Sequence, residues 1–303
     1  MEFLCNDCPR RCNAPRSEDT GRGFCRCGTL PHVVRAAAHR GEEPCLSGTR
    51  GAGTVFFSGC NLRCVYCQNR EISRAAVGRQ LSVSQLRELF LRLRDTGVHN
   101  LELVTPSHFV RAIAQALDGL ELGVPVVWNS SGYDSVESLR RLEGLVQVYM
   151  PDMKYWKSDP ARRYSAAPDY PEVAAAAIRE MYRQRGPYVL DADGLLCSGL
   201  LIRHLILPGQ ELNAMDVIDF AAEDFPRGSV LFSLMSQYTP MPGLERFPEL
   251  RQRVDSETNS LLCEYMQRRG IEDGYWQEPD SAVDSFIPDF DLTGVDPPAE
   301  KDT

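Results

Sequence analysis

The chain has 303 residues, of which 43% are hydrophobic and 25% are charged, and its net charge is -9. A negative net charge disfavours nucleic-acid binding as the main activity, because a phosphate backbone carries the same sign. No apolar run approaches the roughly eighteen residues of a membrane span, and no basic-then-apolar leader stands at Met1. We therefore expect a cytoplasmic protein that binds neither nucleic acid nor membrane.

Residues 1–50 are rich in Cys, Arg, Gly and Pro and lack sustained periodicity, which predicts a loop-rich segment that needs a metal to hold its shape. The chain has eleven cysteines. In a reducing cytosol, this number indicates metal binding or catalysis rather than disulfides. Four of them form a candidate second metal site: Cys5, Cys8, Cys12 and Cys25. Three interpretations stay open for these four: structural zinc, an auxiliary iron–sulfur cluster, or free thiols.

From Gly53 onward, short apolar runs alternate with amphipathic segments, which predicts six β/α units. The predicted strands are 54–58, 99–105, 124–130, 146–150, 201–207 and 229–235. The predicted helices are 82–96, 107–119, 134–143, 171–185, 213–223 and 247–269. Runs such as VPVVW are apolar throughout and helices separate them, so we expect a parallel sheet covered by helices. The prediction is an α/β fold, a partial (β/α)6 TIM-like barrel over residues 51–279, with chemistry at the carboxyl ends of its strands.

Residues 280–303 form an acidic C-terminal tail. We expect its last part to be disordered. The stretch SFIPDFDL within it keeps Phe286, Ile287 and Phe290, and these apolar side chains favour docking of that piece on the barrel.

The stretch GTVFFSGCNLRCVYCQN carries Cys60, Cys64 and Cys67 on one tight loop after the first strand of the predicted barrel. Thiolates at this spacing suit an iron–sulfur cluster or zinc. A cubane cluster has four irons, so three cysteines leave one iron open to an exogenous ligand, as in catalytic metal sites. The alternative is a zinc knuckle that borrows a fourth ligand such as Cys45.

This loop resembles the C-x3-C-x-aromatic-C signature of the radical S-adenosylmethionine (radical SAM) superfamily, with Tyr66 as the aromatic residue. The resemblance implies a [4Fe-4S] cluster whose open iron binds SAM and whose electron cleaves it reductively to a 5'-deoxyadenosyl radical. That radical abstracts a hydrogen atom from the substrate, and the protein supplies orientation and exclusion of water.

Further segments are similar to a narrower group. VYMPDMKYW and LIRHLILPG resemble the fourth and fifth strands of pyruvate formate-lyase activating enzymes, and the chain as a whole resembles their PflX homologues. The resemblance implies an oxidoreductase that receives electrons from a reductant such as flavodoxin or ferredoxin. It also implies a glycyl-radical activase, or an enzyme acting on a peptide or small molecule. The alternative class is an iron–sulfur electron-transfer or scaffold protein without SAM chemistry.

The resemblance also implies a SAM-binding set. Asp152 and Lys154 match an Asp-x-Lys beside SAM, where charge-assisted bonds hold the ribose and the carboxylate. Asn129 and Ser130 match a third-strand pair near SAM, with Asn129 in place of the activase's acidic residue. Arg203 matches a fifth-strand arginine that holds an anion.

Two further residues complete this set. Many members of the superfamily place Gly-Gly-Glu after the second strand to receive the SAM amino group, whereas this chain has TPSH, so Thr105 or its neighbouring carbonyls take that role. Tyr66 stands beside the cluster ligands. His108 is expected to be a helix-start residue with a satisfied hydrogen bond. For the Asp-x-Lys pair and the arginine, the alternative interpretations are a surface turn and an outward-facing strand residue.

Overall fold

The structure, a computed structural model, describes residues 3–277 and 288–296. Its strands are β1 Phe3–Cys5, β2 Ala14–Arg16, β3 His32–His39, β4 Ala52–Phe57, β5 Arg79–Gln80, β6 Leu101–Val104, β7 Val126–Ser130, β8 Val148–Pro151, β9 Val189–Leu190, β10 Leu196–Leu205, β11 Leu231–Met235 and β12 Gly274–Trp276. Its helices are α1 Pro44–Ser47, α2 Arg70–Ser73, α3 Val83–Asp95, α4 Val110–Leu117, α5 Val136–Arg140, α6 Ser158–Ser165, α7 Tyr170–Arg185, α8 Glu211–Asp224 and α9 Ser256–Arg268. None of the helices in these two ranges is long and apolar enough to cross a membrane.

The central sheet has the strand order β12-β11-β10-β8-β7-β6-β4-β3-β5, with β9 attached to β10. Strands β4, β6, β7, β8, β10, β11 and β12 run parallel to one another. Strands β3 and β5 close one edge in the antiparallel direction. Helices connect the parallel strands, so the predicted α/β class with a mostly parallel sheet is confirmed.

The parallel strands are buried on both faces, which explains their continuous apolar runs. In β7, Val126 and Trp128 belong to the large core between sheet and helices. Val127 points the other way, into a smaller inner core that also contains Cys45 of α1 and Met150 of β8. Packing against both cores therefore fixes the position of the carboxyl end of β7 and of the polar residues that follow it.

All six predicted β/α units are present, and several details differ. The predicted helix 247–269 is divided into a 3-10 turn at Pro248–Arg251 and α9, because Asp255 caps α9 by accepting a 2.7 Å hydrogen bond from the amide of Thr258. A seventh parallel strand, β12, follows α9. Strand β3 lies in the segment that the sequence analysis describes as loop-rich, since the Ala-rich HVVRAAAH gives little strand signal.

Residues 288–296 pack along β3. The amide of Leu292 donates to the carbonyl of Val34 at 3.0 Å, and the amide of Ala36 donates to the carbonyl of Thr293 at 2.9 Å. The ring of Phe290 meets that of Phe56 edge-on at a centroid distance of 5.5 Å. This part of the tail thus docks on the sheet edge, whereas Phe286 and Ile287, which the sequence analysis grouped with Phe290, lie outside the described residues.

Candidate functional site

A cavity of about 510 Å³ opens at the carboxyl ends of the parallel strands. Cavities of this size are typical of sites for cofactor-sized molecules. Its lining includes every residue that the sequence analysis assigned to the cluster or to SAM: Cys60, Cys64, Cys67, Tyr66, Thr105, Asn129, Ser130, Asp152, Lys154 and Arg203. The topology explains this convergence, because the ends of neighbouring parallel strands meet at one edge of the sheet.

The loop that carries the three cysteines leaves β4 through Gly59, whose φ of +79° lies in the left-handed region that favours glycine. A Cβ at this position would come within 2.4 Å of the Cys27 sulfur. The loop is then clamped from outside: the side-chain amide of Asn61 donates to the carbonyl of Tyr133 at 2.6 Å, and the amide of Val65 donates to the carbonyl of Tyr164 at 2.8 Å. The cysteines are therefore carried on a fixed backbone.

Hydroxyl groups surround the thiols of this loop. The Cys64 sulfur lies 3.0 Å from the Ser165 hydroxyl, and the amide of Leu62 donates to the Cys60 sulfur at 3.3 Å. The hydroxyl of Tyr66 is bonded to that of Tyr155 at 2.7 Å, which in turn lies 2.7 Å from the Ser165 hydroxyl. Buried donors of this kind suit thiolates, because a hydrogen bond to the charged form stabilises it.

Burial, and then the nearby Cys64 and Cys67, raise the pKa of Cys60 to about 12. Cys64 and Cys67 therefore lie close enough to Cys60 to disfavour its ionisation. A metal that replaces their protons removes this penalty. Among the described residues, however, no three His, Cys, Asp or Glu side chains converge on a single metal ion. In a cubane, the three thiols of this loop would each bind a different iron.

Asp152, Lys154 and Arg203 form one ionic network on the cavity wall. The Lys154 ammonium lies 2.6 Å from Asp152 Oδ2, and Arg203 Nε lies 3.1 Å from Asp152 Oδ1. Burial opposes the charged carboxylate, but Lys154 and Arg203 outweigh it and hold the pKa of Asp152 below its usual range. The side chains of Asp152 and Lys154 each remain 17% exposed and line the cavity, where a ligand can reach them.

Arg203 also reaches a second group of acids that the sequence analysis missed. Its Nη1 lies 3.2 Å from Glu42 and 3.8 Å from Glu43, both just before α1, and its Nη2 donates to the Asn129 side-chain oxygen at 2.8 Å. The amide group of Asn129 donates in turn to Glu102 at 2.6 Å. Burial and the neighbouring Glu42 raise the pKa of Glu102 well above its usual range. A charged residue inside the apolar strand β6 was the signal available in the sequence.

Thr105 follows β6 at the place where the sequence analysis expected contact with the SAM amino group. Its φ is +60°, a left-handed conformation that is rare for a β-branched residue. Its amide donates to the carbonyl of Asn129 at 2.9 Å, which fixes the strained turn to the next strand. Strain of this kind costs about 1–3 kcal/mol and is typical of functional sites.

The remaining candidates lie elsewhere. The N-terminal cysteines Cys5, Cys8, Cys12 and Cys25 surround a separate small cavity, which His108 also lines. The His108 Nε2 lies 2.8 Å from the carbonyl of Ser58, so this histidine has the satisfied hydrogen bond expected of it. Cys45 is buried in the inner core and takes no part in the cysteine loop.

Taken chemically, the large cavity offers soft thiol donors on one wall and a mixed-charge network on the other. Lys154 and Arg203 suit a carboxylate, and Asp152 suits a hydroxyl or an ammonium group. SAM carries all of these groups. The donor set and the cavity therefore fit a [4Fe-4S] cluster together with SAM.

Comparison with known proteins agrees with a site for a [4Fe-4S] cluster and SAM. Residues 54–191 match the Radical SAM superfamily. The crystal structure of Streptococcus suis SuiB bound to S-adenosylmethionine superposes with a TM-score of 0.51 at 10% identity, covering 77% of this chain and 52% of that one. The chain thus spans about half the length of SuiB, and the likeness concerns the fold. Residues 54–191 thus carry the radical SAM match, which supports radical SAM chemistry in general, and that superfamily implies a [4Fe-4S] cluster and SAM.

Among individual proteins, the chain is 27% identical over 278 residues to "Uncharacterized protein MJ0674" of Methanocaldococcus jannaschii, covering 88% of this chain and 75% of that protein. A domain of a pyruvate-formate lyase-activating enzyme from Bacteroides vulgatus superposes with a TM-score of 0.37 at 14% identity, covering 64% of this chain and 91% of that one. The second overlap is too low to carry an argument.

Proposed function

We propose that this protein is an oxidoreductase of the PflX-like group, which cleaves SAM reductively and abstracts a hydrogen atom from its substrate. When bound, the cluster and SAM would supply the electron and the 5'-deoxyadenosyl radical. The observation that supports the proposal most is the convergence of three loop thiols and one ionic network on a single cavity.

The protein's own residues would hold and orient SAM. Lys154 and Arg203 would bind its carboxylate by charge-assisted bonds, and Asp152, kept ionised by those two cations, would accept from its ribose or amino group. Arg203 is in turn held by Glu42, so its guanidinium keeps one orientation before the ligand arrives. Preorganisation of this kind lowers the cost of binding.

The substrate would enter from the β12 side of the cavity. Tyr275, Trp276 and Gln277 line that side, and the indole of Trp276 is 51% exposed. An exposed tryptophan at a cavity mouth is typical of a surface that docks a protein or peptide. Pro288 of the tail lines the same cavity. We therefore propose a peptide segment, such as the glycine loop of a glycyl-radical enzyme, as the substrate.

An acidic electron carrier of the flavodoxin or ferredoxin class is the proposed reductant. Burial, and then the nearby Arg26 and Arg74, lower the pKa of Arg63 in the cysteine loop, so three arginines stand close together beside that loop. Such a basic cluster on a protein of net charge -9 would steer an acidic partner to the cysteine loop.

The test is anaerobic incubation of the iron-loaded protein with SAM and dithionite, followed by chromatography for 5'-deoxyadenosine. Wild type and the matched control Cys197→Ser should form it, whereas Cys64→Ala should not, because Cys64 lies in the cavity loop and Cys197 does not. Absence of the product from iron-loaded wild type would contradict the proposal. Cell extract is then added to the same reaction, and the modified peptide is identified by mass spectrometry.

A further inference from the structure

The small cavity among the N-terminal cysteines plays no part in the proposed SAM chemistry. Its lining consists of Cys5, Asp7, Cys8, Cys12, Ala14, Arg16, Gly23, Cys25, Cys27 and His108. Strands β1 and β2 form a two-stranded antiparallel hairpin that brings the first three cysteines to the same side as the turn at residues 23–27. Five of the eleven cysteines of the chain therefore face one space.

Apolar packing contributes little to the stability of this segment. Between residues 4 and 30, all of which the structure describes, Cys27 is the one buried apolar side chain. Three residues in the same span, Arg11, Asn13 and Arg26, have φ values of +41°, +47° and +63°. Each such conformation costs about 1–3 kcal/mol. Because these residues flank the cysteines, a bound metal centre is the natural source of the missing stability.

Two buried polar groups at the cavity lack partners among the described residues. Arg16 is 4% exposed, its Nη1 donates to the Cys5 sulfur at 3.5 Å, and its Nη2 has no hydrogen-bond partner. His108 is 2% exposed, and its Nδ1 is likewise without a partner. A buried guanidinium is costly without an anion. Metal-bound thiolates or the sulfides of a cluster would supply the missing negative charge.

The cavity that these thiols line is wider than the coordination sphere of one bound zinc ion. The cavity measures about 20 Å³, whereas a water molecule needs about 10–15 Å³ in this measure. Four thiolates at about 2.3 Å from a zinc ion leave no gap that admits a water-sized sphere. A polynuclear centre fits this wider ring of sulfurs.

We propose that Cys5, Cys8, Cys12 and Cys25 bind a second [4Fe-4S] cluster, compensated by the buried charge of Arg16. The amide of Phe24 already donates to the Cys12 sulfur at 3.2 Å, a bond of the kind that stabilises cluster ligands. Cys27 has a separate role, since its sulfur lies 3.6 Å from the carbonyl of Ser58 and forms the wall toward the cavity loop.

The second cluster would lie directly behind the loop of the first. Arg10 donates to the carbonyl of Asn61 at 2.7 Å, and Arg63 donates to the carbonyl of Phe24 at 2.6 Å. Gly59 packs so closely on the Cys27 sulfur that no side chain fits between them. The N-terminal segment thus packs directly on the loop that carries Cys60, Cys64 and Cys67, and the metal content of one site is expected to influence the other.

The decisive variant replaces Cys60, Cys64 and Cys67 together by Ala, because it leaves the N-terminal site untouched. After anaerobic reconstitution, wild type should hold about eight irons and eight sulfides per chain, and the triple variant about four of each. The reduced triple variant should give an EPR signal that SAM does not alter. Absence of iron from the triple variant, or one zinc ion per chain in its place, would overturn the proposal.

Single substitutions then test the ligands. Cys8→Ser should lose about half of the iron while its remaining EPR signal still responds to SAM, whereas the control Cys197→Ser should keep all of it. Full iron content in Cys8→Ser, or loss of half the iron in Cys27→Ser, would overturn the ligand assignment. If Cys8→Ser fails to fold, the iron content of the triple variant decides alone. Failure of SAM cleavage would leave these iron counts unchanged, so the two proposals fail separately.

Discussion

Arg203 is the cation on which the carboxylates of the large cavity depend. Its guanidinium lies 3.1 Å from Asp152, 3.2 Å from Glu42 and 3.8 Å from Glu43, and its side chain is only 13% exposed. Removing one partner of a buried ionic group leaves the other charges uncompensated, which costs about 3–5 kcal/mol. Arg203→Gln should therefore lower the free energy of unfolding by about 3–5 kcal/mol near pH 8.

The deficit should depend on pH. In wild type, the depressed pKa of Asp152 gives stability that is present above its unfolded pKa of about 3.9 and is lost as the pH falls through the folded pKa. In Arg203→Gln, burial without the guanidinium raises the pKa of the stranded acids, as it already does for Glu43. Their penalty is absent below the unfolded pKa and grows as pH rises, so the deficit should be smaller at pH 5 than at pH 8.

Urea unfolding of anaerobically prepared protein, followed by tryptophan fluorescence, measures this deficit. The matched control is Arg179→Gln, which removes a surface ion pair with Asp224; the arginine side chain of that pair is 53% exposed. Such pairs contribute about 0–1 kcal/mol. An Arg203→Gln deficit no larger than that of the control, or one that grows as the pH falls, would refute the reasoning.

Four further substitutions test other parts of the site. Cys64→Ala should remove about four irons, because two thiolates cannot hold a site-differentiated cubane, and retained SAM cleavage would count against the assignment. Asp152→Asn and Lys154→Ala should each weaken SAM binding about tenfold or more by calorimetry at unchanged iron content, and unaltered affinity would return the pair to a surface-turn role. Gly59→Ala should impair iron loading because the new Cβ would meet the Cys27 sulfur. The control Gly97→Ala is also left-handed but faces open space, so it should lower the free energy of unfolding by only about 1 kcal/mol. Equal iron contents in the two variants would contradict this reasoning.

The sequence predicted the parallel strands well because burial on both faces leaves a continuous apolar run, as in VPVVW before Asn129. The strands β12 and β3 were not predicted, because β12 has only three residues and only two of the eight residues of β3 are β-branched. Both are held by pairing to strands that are distant in sequence.

The site shows the same division. Cys60, Cys64 and Cys67 were predicted because their spacing is a local sequence pattern. They line the cavity together with all of the residues assigned to SAM by resemblance. Glu42 and Glu102 were missed, because their partners stand 161 and 27 residues away in the chain and no local pattern records such a pairing. The cavity among the N-terminal cysteines, whose size favours a cluster over a zinc ion, likewise depends on tertiary packing.

The central claim is that the cavity loop carries a cluster whose open iron binds SAM. The most direct test is the EPR spectrum of the reduced, iron-loaded Cys8→Ser variant, or of wild type, recorded before and after addition of SAM. The account predicts that SAM changes the spectrum and that Cys64→Ala lacks the responsive signal. An unchanged spectrum in iron-loaded wild type would contradict the account and favour an electron-transfer or scaffold protein without SAM chemistry.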